Sequence, residues 1–485
     1  MTSSPQTPPM PDAERQQPTR FYRWMVLVFV SLAMFGNYYV YDCIAPVADV
    51  LARQLGFSNS NIGLLQAIYS VPNIFMVLIG GYIVDRLGTR KSILLFGTVC
   101  MIGAAITCYP DNQSIQRIVT ALVNACVPMI RILGHIPLLS RFDSIRNLAI
   151  LQGIQTAQGA IVASMAAGRL VFGLGAESLI VAVTTAVAKW FRGKELSFAF
   201  GINLTIARAG TWLAQNSPTW AHSAYDNWRS PLLISVGFGS LCVVGAIFYW
   251  VLESYAERRM DLKHQGSTDK VVFSDIYKFG VSYWYIVALC VVFYSAIFPF
   301  ETFAIKFFIE ARGTSRELGG FLVSILTAFT MFGTPAFGLF ADRFGRRATL
   351  MMLGSTLLIP VYLMMVYTNV SLYVPMAMMG VAFSLIPALM WPSVAYIVDQ
   401  SKLGTAYGLM TMIQNIGLAG FNLLIGWAND HGHASAQNPA GYRLGMWIFS
   451  ILGFLGVMFA FLLRQRERGP HGHGLETITT ASTTS

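Results

Sequence analysis

Twelve apolar segments, each about as long as a helix needs to cross a bilayer, are strung along this 485-residue chain. They are Trp24–Cys43, Asn61–Val84, Lys91–Tyr109, Ile161–Trp190, Glu195–Gln215, Pro231–Leu252, Tyr283–Ile309, Leu318–Ala341, Ala348–Tyr367, Leu372–Val398, Leu403–Trp427 and Tyr442–Leu463. Inside the hydrocarbon layer no water is left to satisfy the backbone, so such segments must close their own hydrogen bonds as helices. The expected fold class is all-α: a polytopic membrane protein with twelve transmembrane helices. Only 12% of residues are charged, against about 25% in soluble domains. The lipid bilayer is therefore the first partner.

An even number of spans puts both termini on one side. The basic loops Asp85–Lys91, Lys189–Lys194, Glu257–His264 and Asp342–Arg347 all fall on that side, as do Arg20, Arg23 and Arg464–Arg468. Excess Lys and Arg mark the cytosolic face, so both termini are expected in the cytosol. The net charge of +10 is explained by these loops and calls for no nucleic acid. Six cysteines lie mostly in apolar stretches, without metal-ligand spacing, so neither a disulfide framework nor a metal site is expected. No nucleophile–base pair sits near a span end, so an enzyme is not expected, and no cofactor either. The first 20 residues lack an apolar core and read as a tail rather than a signal peptide. Neither tail carries an acidic dileucine sorting signal.

The chain repeats itself. "GGYIVDRLGTRK" closes span 2 and "FGLFADRFGRR" closes span 8; Asp85 and Asp342 lie 257 residues apart, and Gly97 and Gly354 keep that offset. Gly201/Gly408 and Gly210/Gly417 pair at an offset of 207, so the first half carries an insert of roughly 50 residues. The expected division is a cytosolic tail at 1–20, a six-helix half at 21–252 with the insert at about 110–160, a cytosolic linker at 253–280, a second half at 281–464 and a second disordered tail at 465–485. The insert reads either as an amphipathic outer subdomain or as a translated intron. Asn112 and Asn369 open glycosylation sequons on the outer side.

In the repeated loop, Gly81 and Gly338 suit close helix contact. Asp85 and Asp342 suit a helix terminus. Arg86, Arg90 and Lys91, with Arg343 and Arg346 in the second copy, suit pairing across a cytosolic gate. This doubled loop resembles the hallmark of the major facilitator superfamily, and Arg169, Gly173 and Gly175 in "GRLVFGLG" resemble its span-4 motif. The resemblance implies two pseudo-symmetric six-helix halves around a central cavity that opens alternately to either side, with Arg169 counted among the gating residues.

Glu177 lies 12 residues before Lys189 in span 4, and Arg208 lies 13 residues after Glu195 in span 5. At 1.5 Å per residue, both stand about 18–20 Å from the cytosolic loop, near the midplane. Each costs about 2.5–3.5 kcal/mol there if left alone. They are either a structural ion pair or a clamp for a ligand's amine and carboxylate. The position matching Arg208 in the second half is Asn415, beside Gln414, so the charge is asymmetric. Asp42 either caps the helix break at Pro46 or faces the outer mouth. Tyr38, Tyr39, Tyr69, Asn73 and Trp391 are candidate lining residues. Glu301 and Lys306 read as the solvated rim of an outer gate.

"YYVYDCIAP", "KWFRGKELSFAFGINLTIARAG", "ALMWPSVAYIV" and "LGTAYGLMTMIQNIGLA" together resemble one branch of that superfamily, the animal lysosomal dipeptide transporters. This resemblance implies uniport of dipeptides, cationic ones above all, from the lysosome lumen to the cytosol. The rival expectation is a proton-coupled carrier of sugars or organic anions, with Glu177 or Asp42 taking the proton. A lysosomal or vacuolar membrane is expected, with the plasma membrane as second choice. It also implies a glycosylated accessory membrane protein, and it puts Glu177 and Arg208 where that branch has its midplane acid and base.

Overall fold

The computed structural model describes residues 18–134, 154–191, 195–259, 279–470 and 472–479. Its long elements are α1 (Arg20–Asp42), α2 (Ala48–Leu55), α3 (Asn59–Cys108), α4 (Gln113–Gly134), α5 (Ala157–Phe191), α6 (Leu196–Gln215), α7 (Arg229–Arg259), α8 (Val281–Arg312), α9 (Arg316–Phe344), α10 (Arg347–Tyr367), α11 (Tyr373–Ile397), α12 (Leu403–His431) and α13 (Arg443–Arg468).

Among the described residues, ten helical stretches are long and apolar enough to cross a membrane, with α1 and α2 forming one of them. The 50 residues of α3 would run about 75 Å as one rod, far more than a bilayer. They bend at Gly88, whose φ of 76° suits a residue without a side chain, so α3 crosses twice. α6 adds a further crossing of 20 residues. Twelve crossing segments result, as the apolar pattern predicts.

Within the first half, α1 packs on α6 and α7, while α3 packs on α5 and α7. Within the second, α13 packs on α8 and α10, and α11 on α9 and α10. The halves meet where α12 lies along α3 and α9 along α6. Gly63 abuts the Asn422 carbonyl and Gly426 abuts that of Asn59, so a side chain at either glycine would push these helices apart. The ion pairs and hydrogen bonds that join the halves cluster on the face away from the termini. They include Arg316 to Asp49, Asp430 to Asn59 and Ser60, and Lys306 to Asn59. On the terminal face, Tyr82 and Leu339 are exposed, and a methyl group added at Gly81 or Gly338 would meet open space. The molecule thus stands shut on the far side and parted on the terminal side around the repeated loops, with Gly408 still meeting Leu78 deeper in.

Two expected boundaries shift. α7 continues through 253–259, seven residues into the expected linker, because Glu253 is tied to Thr89 and Lys189 at 3.0 and 2.6 Å. The rest of the linker, 260–278, lies outside the described residues, as do 1–17, 135–153 of the insert, and 480–485. The tail 465–485 was expected to be disordered, yet its residues 472–479 are packed. Leu475 is fully buried, Arg346 and Arg347 donate backbone N–H groups to the Glu476 and Leu475 carbonyls, and the Glu476 carboxylate accepts from Thr349 N and Oγ1 at 2.8 and 2.7 Å. A polar composition hid one apolar anchor and one acid. Burying a leucine side chain is worth about 1.5–3 kcal/mol. Leu475→Asp should therefore free the tail: hydrogen exchange should quicken at 472–479 while the amides of α10 keep their protection.

Candidate functional site

The first spanning helix is broken. α1 stops at Asp42, a short turn over Ala45–Val47 follows, and α2 resumes at Ala48. Pro46 cannot donate an N–H to the preceding turn, so the break is local chemistry. The carbonyls it frees are held by Arg169, whose guanidinium donates to Val40 O at 2.9 Å, Tyr41 O at 3.1 Å and Gln66 Oε1 at 2.5 Å. A cation at a helix C-terminus is also favoured by the helix dipole. Carriers place ligands at such interrupted helices, where the backbone lines a cavity.

Beside the break lies a chamber between the halves. Glu177 on α5 accepts a long 3.4 Å hydrogen bond from the Tyr69 hydroxyl. Arg208 on α6 sits between two rings, 5.7 Å from Tyr38 and 5.6 Å from Phe383, an arrangement that holds a cation without neutralising it. Among the described residues neither has a salt-bridge partner, so Glu177 and Arg208 do not neutralise each other. The structural ion pair is thereby set aside. On the opposite wall the Trp391 indole donates to the Tyr294 hydroxyl at 2.9 Å and stacks on Tyr407 at 5.9 Å. Tyr294 stacks on Phe298 at 5.5 Å. Glu177, Arg208, Tyr38 and Trp391 are half-buried, and Asp42 and Glu301 stand behind them at 6% and 5% exposure. Tyr38 and Tyr41 lie within the field of Asp42, Glu177, Glu301, Arg169 and Arg208. Three acidic side chains thus stand near two guanidiniums.

One expected residue falls elsewhere. Tyr39 does not line the chamber: one residue is 100° of helical rotation, and its ring stacks on Phe238 of α7 at 4.1 Å. Asn415 bonds its own helix at Thr411 O, while Gln414 accepts from Cys290. Asn73 is fully buried, and among the described residues its amide has no hydrogen-bond partner. Arg169, eight residues before Glu177 on α5 and so about 12 Å nearer the far side, braces α1, α3 and α5 there.

In the repeated loop, Gly81 and Gly338 make no close contact, because the terminal side is parted. Asp85, Arg86 and Lys91 are exposed, with Arg86 over the Tyr82 ring; Arg90 pairs with Glu257 at 2.8 Å, within its own half. Asp342 pairs with Arg347 at 2.7 Å, Arg343 lies over Phe344, and Arg346 is exposed. Glu301 and Lys306 are not a solvated rim. Both are buried, and Lys306 donates to Asn59, Glu310 and Tyr442. Asn112 and Asn369 are exposed, and Asn112 Oδ1 also caps α4.

Sequence reasoning missed the far-side lock. Asp49 is 3% exposed and takes two bonds from Arg316, at 2.6 and 2.7 Å. Both residues sit just outside the apolar runs that drew attention, 267 positions apart. Only the buried face of α2 could have marked Asp49.

A profile described as Major Facilitator Superfamily matches residues 30–133, 137–419 and 301–482. A human protein named "Lysosomal dipeptide transporter MFSD1" is 28% identical, covering 92% of this chain and 88% of its own. The zebrafish (Danio rerio) protein of that name is 29% identical over 84% and 80%. A galacturonate transporter of Dickeya chrysanthemi is 24% identical over 46% and 50%. Among solved structures, a bacterial homolog of the human lysosomal transporter Spinster, inward-facing and unoccupied, aligns with a TM-score of 0.66 at 15% identity, over 92% of this chain and 98% of that one.

Proposed function

This chain belongs to the Major Facilitator Superfamily, a multi-pass carrier rather than an enzyme, and from that premise we propose that it moves dipeptides, cationic ones in particular, by alternating access. The observation that carries the reading is the unpaired opposition of Glu177 and Arg208 at one depth. A zwitterionic peptide offers an ammonium to the first and a carboxylate to the second. Charge-assisted bonds of this kind are roughly twice as strong as neutral ones. The acidic side chains of Asp42 and Glu301 beside this pair suit the cationic class, whose basic side chain can pair with a carboxylate. The likeness to a galacturonate carrier covers only 46% of this chain and so weighs less.

We place the protein in a lysosomal or vacuolar membrane with both termini cytosolic and the closed side toward the lumen, where Asn112 and Asn369 would carry glycans. Transport is by uniport toward the cytosol. The test is uptake of labelled lysyl-alanine by purified protein in liposomes, with and without an imposed pH gradient. Saturable equilibration that the gradient does not drive uphill is the expected result. Uphill accumulation would make the protein a proton-coupled carrier, and no uptake would remove the peptide reading.

A further inference from the structure

We infer that Asp42 and Glu301, one from each half, form a second subsite that takes the cationic side chain of the transported peptide. This rests on the dipeptide reading above and extends it.

The geometry begins with the ring of Tyr41, which meets Phe298 edge-on at 6.2 Å. That contact brings the broken end of α1 against α8, and the turn at Ala45–Val47 packs on α8 as well. Asp42 follows Tyr41 directly, and Glu301 lies one residue short of a turn beyond Phe298. Asp42 and Glu301 thus lie on facing segments across the boundary between halves, within reach of each other's charge. Among the described residues neither is in a salt bridge. Glu301 accepts only a 3.3 Å bond from Gln215, whose own Oε1 is fixed by Thr327 at 2.7 Å. The Thr211 hydroxyl, one turn along α6 from Arg208, is buried and faces Asp42. A polar stripe of Arg208, Thr211 and Gln215 thus leads from the half-buried clamp to the buried acids.

Length fits this division. From Arg208 to Gln215 the helix rises about 10 Å. Two extended residues span about 7 Å, which the backbone clamp of Glu177 and Arg208 absorbs. A lysine or arginine side chain then reaches inward from the clamp to the acids. Glu177 and Asp42 cannot both serve the α-ammonium, because Asp42 stands behind the clamp, toward the closed side.

The experiment compares lysyl-alanine with alanyl-alanine as substrates of the full-length protein in liposomes. In Glu301→Gln, the preference for the lysine peptide, read as the ratio of kcat/KM values, should fall about tenfold to a hundredfold, the range expected for losing one charge-assisted bond. Glu301→Asp, which keeps the charge, should retain most of the preference. Equal loss for both peptides would overturn the assignment in favour of a structural or gating role. If the unaltered protein accumulates peptide on a pH gradient, and Glu301→Gln loses that accumulation while keeping the preference, the pair is a proton site and the assignment is overturned too. Should Glu301→Gln fail to fold, Asp42→Asn gives the same readout. If the unaltered protein carries neither peptide, the dipeptide reading itself has failed, which is a distinct result.

Discussion

Glu177→Gln is expected to fold, insert normally and lose about thirtyfold to several-thousandfold in kcat/KM for every dipeptide, basic or not. That range corresponds to the 2–5 kcal/mol lost when one member of a buried, hydrogen-bonded charge pair is truncated, here with the ligand's ammonium as the other member. The unloaded protein should suffer no penalty. Glu177 is held by one long bond from Tyr69 and no cation, so its charge is a desolvated cost in the empty chamber. Glutamine has nearly the same shape and can still accept from Tyr69. The melting temperature in detergent should stay level or rise, while stabilisation by added lysyl-alanine disappears. A variant that unfolds or is degraded would show instead that Glu177 holds α5 in place. Glu177→Gln should also differ from Glu301→Gln: the first affects all peptides, the second shifts the preference among them.

Much of this arrangement was legible in the sequence, for a physical reason. Hydrocarbon imposes length and apolarity on each span, so the crossings stand out. A charge in that setting is costly enough to attract notice, which singled out Glu177 and Arg208. The repeat showed through Asp85 and Asp342 because both copies of the loop need the same turn. Side-chain direction was less legible. Tyr38 and Tyr39 are chemically alike, and only the phase of α1 turns one to the chamber and the other onto Phe238. Contacts that depend on the conformation escaped as well. Gly81 and Gly338 read as points of close approach, yet the parted terminal side leaves them open. Glu301 and Lys306 read as solvent-facing because, Glu310 apart, the partners that bury them come from distant segments: Gln215, Asn59 and Tyr442. The tail failed for a simpler reason. Composition averages over residues, and a single buried leucine beside one well-placed glutamate is enough to dock eight residues.

Arg316→Met should open the far side. Asp49 on α2 and Arg316 at the start of α9 form a two-bond ion pair between the halves, and both are largely buried. Removing one partner of a buried pair costs about 3–5 kcal/mol, mostly because the other charge is left desolvated. Arg53 also contacts Asp49 at 3.0 Å, but from an exposed position four residues along, so it recovers only part of that. Opening the far side hydrates Asp49, and the penalty therefore falls on the closed state alone. A loss of about 3 kcal/mol moves the equilibrium roughly 150-fold toward the far-side-open form. Ser60, 1% exposed beneath the lock, is a natural reporter: Ser60→Cys, in a background lacking the exposed Cys126, should be nearly inert to an impermeant maleimide and become reactive once Arg316 is replaced. Adding Asp49→Asn to Arg316→Met removes the stranded charge and should restore much of the protection, although the halves no longer attract each other. If the double variant labels as fast as the single one, attraction rather than a stranded charge holds the gate. If neither labels, the seam of Asn59, Ser60 and Asp430 closes the far side unaided, and Asp49 and Arg316 only decorate it.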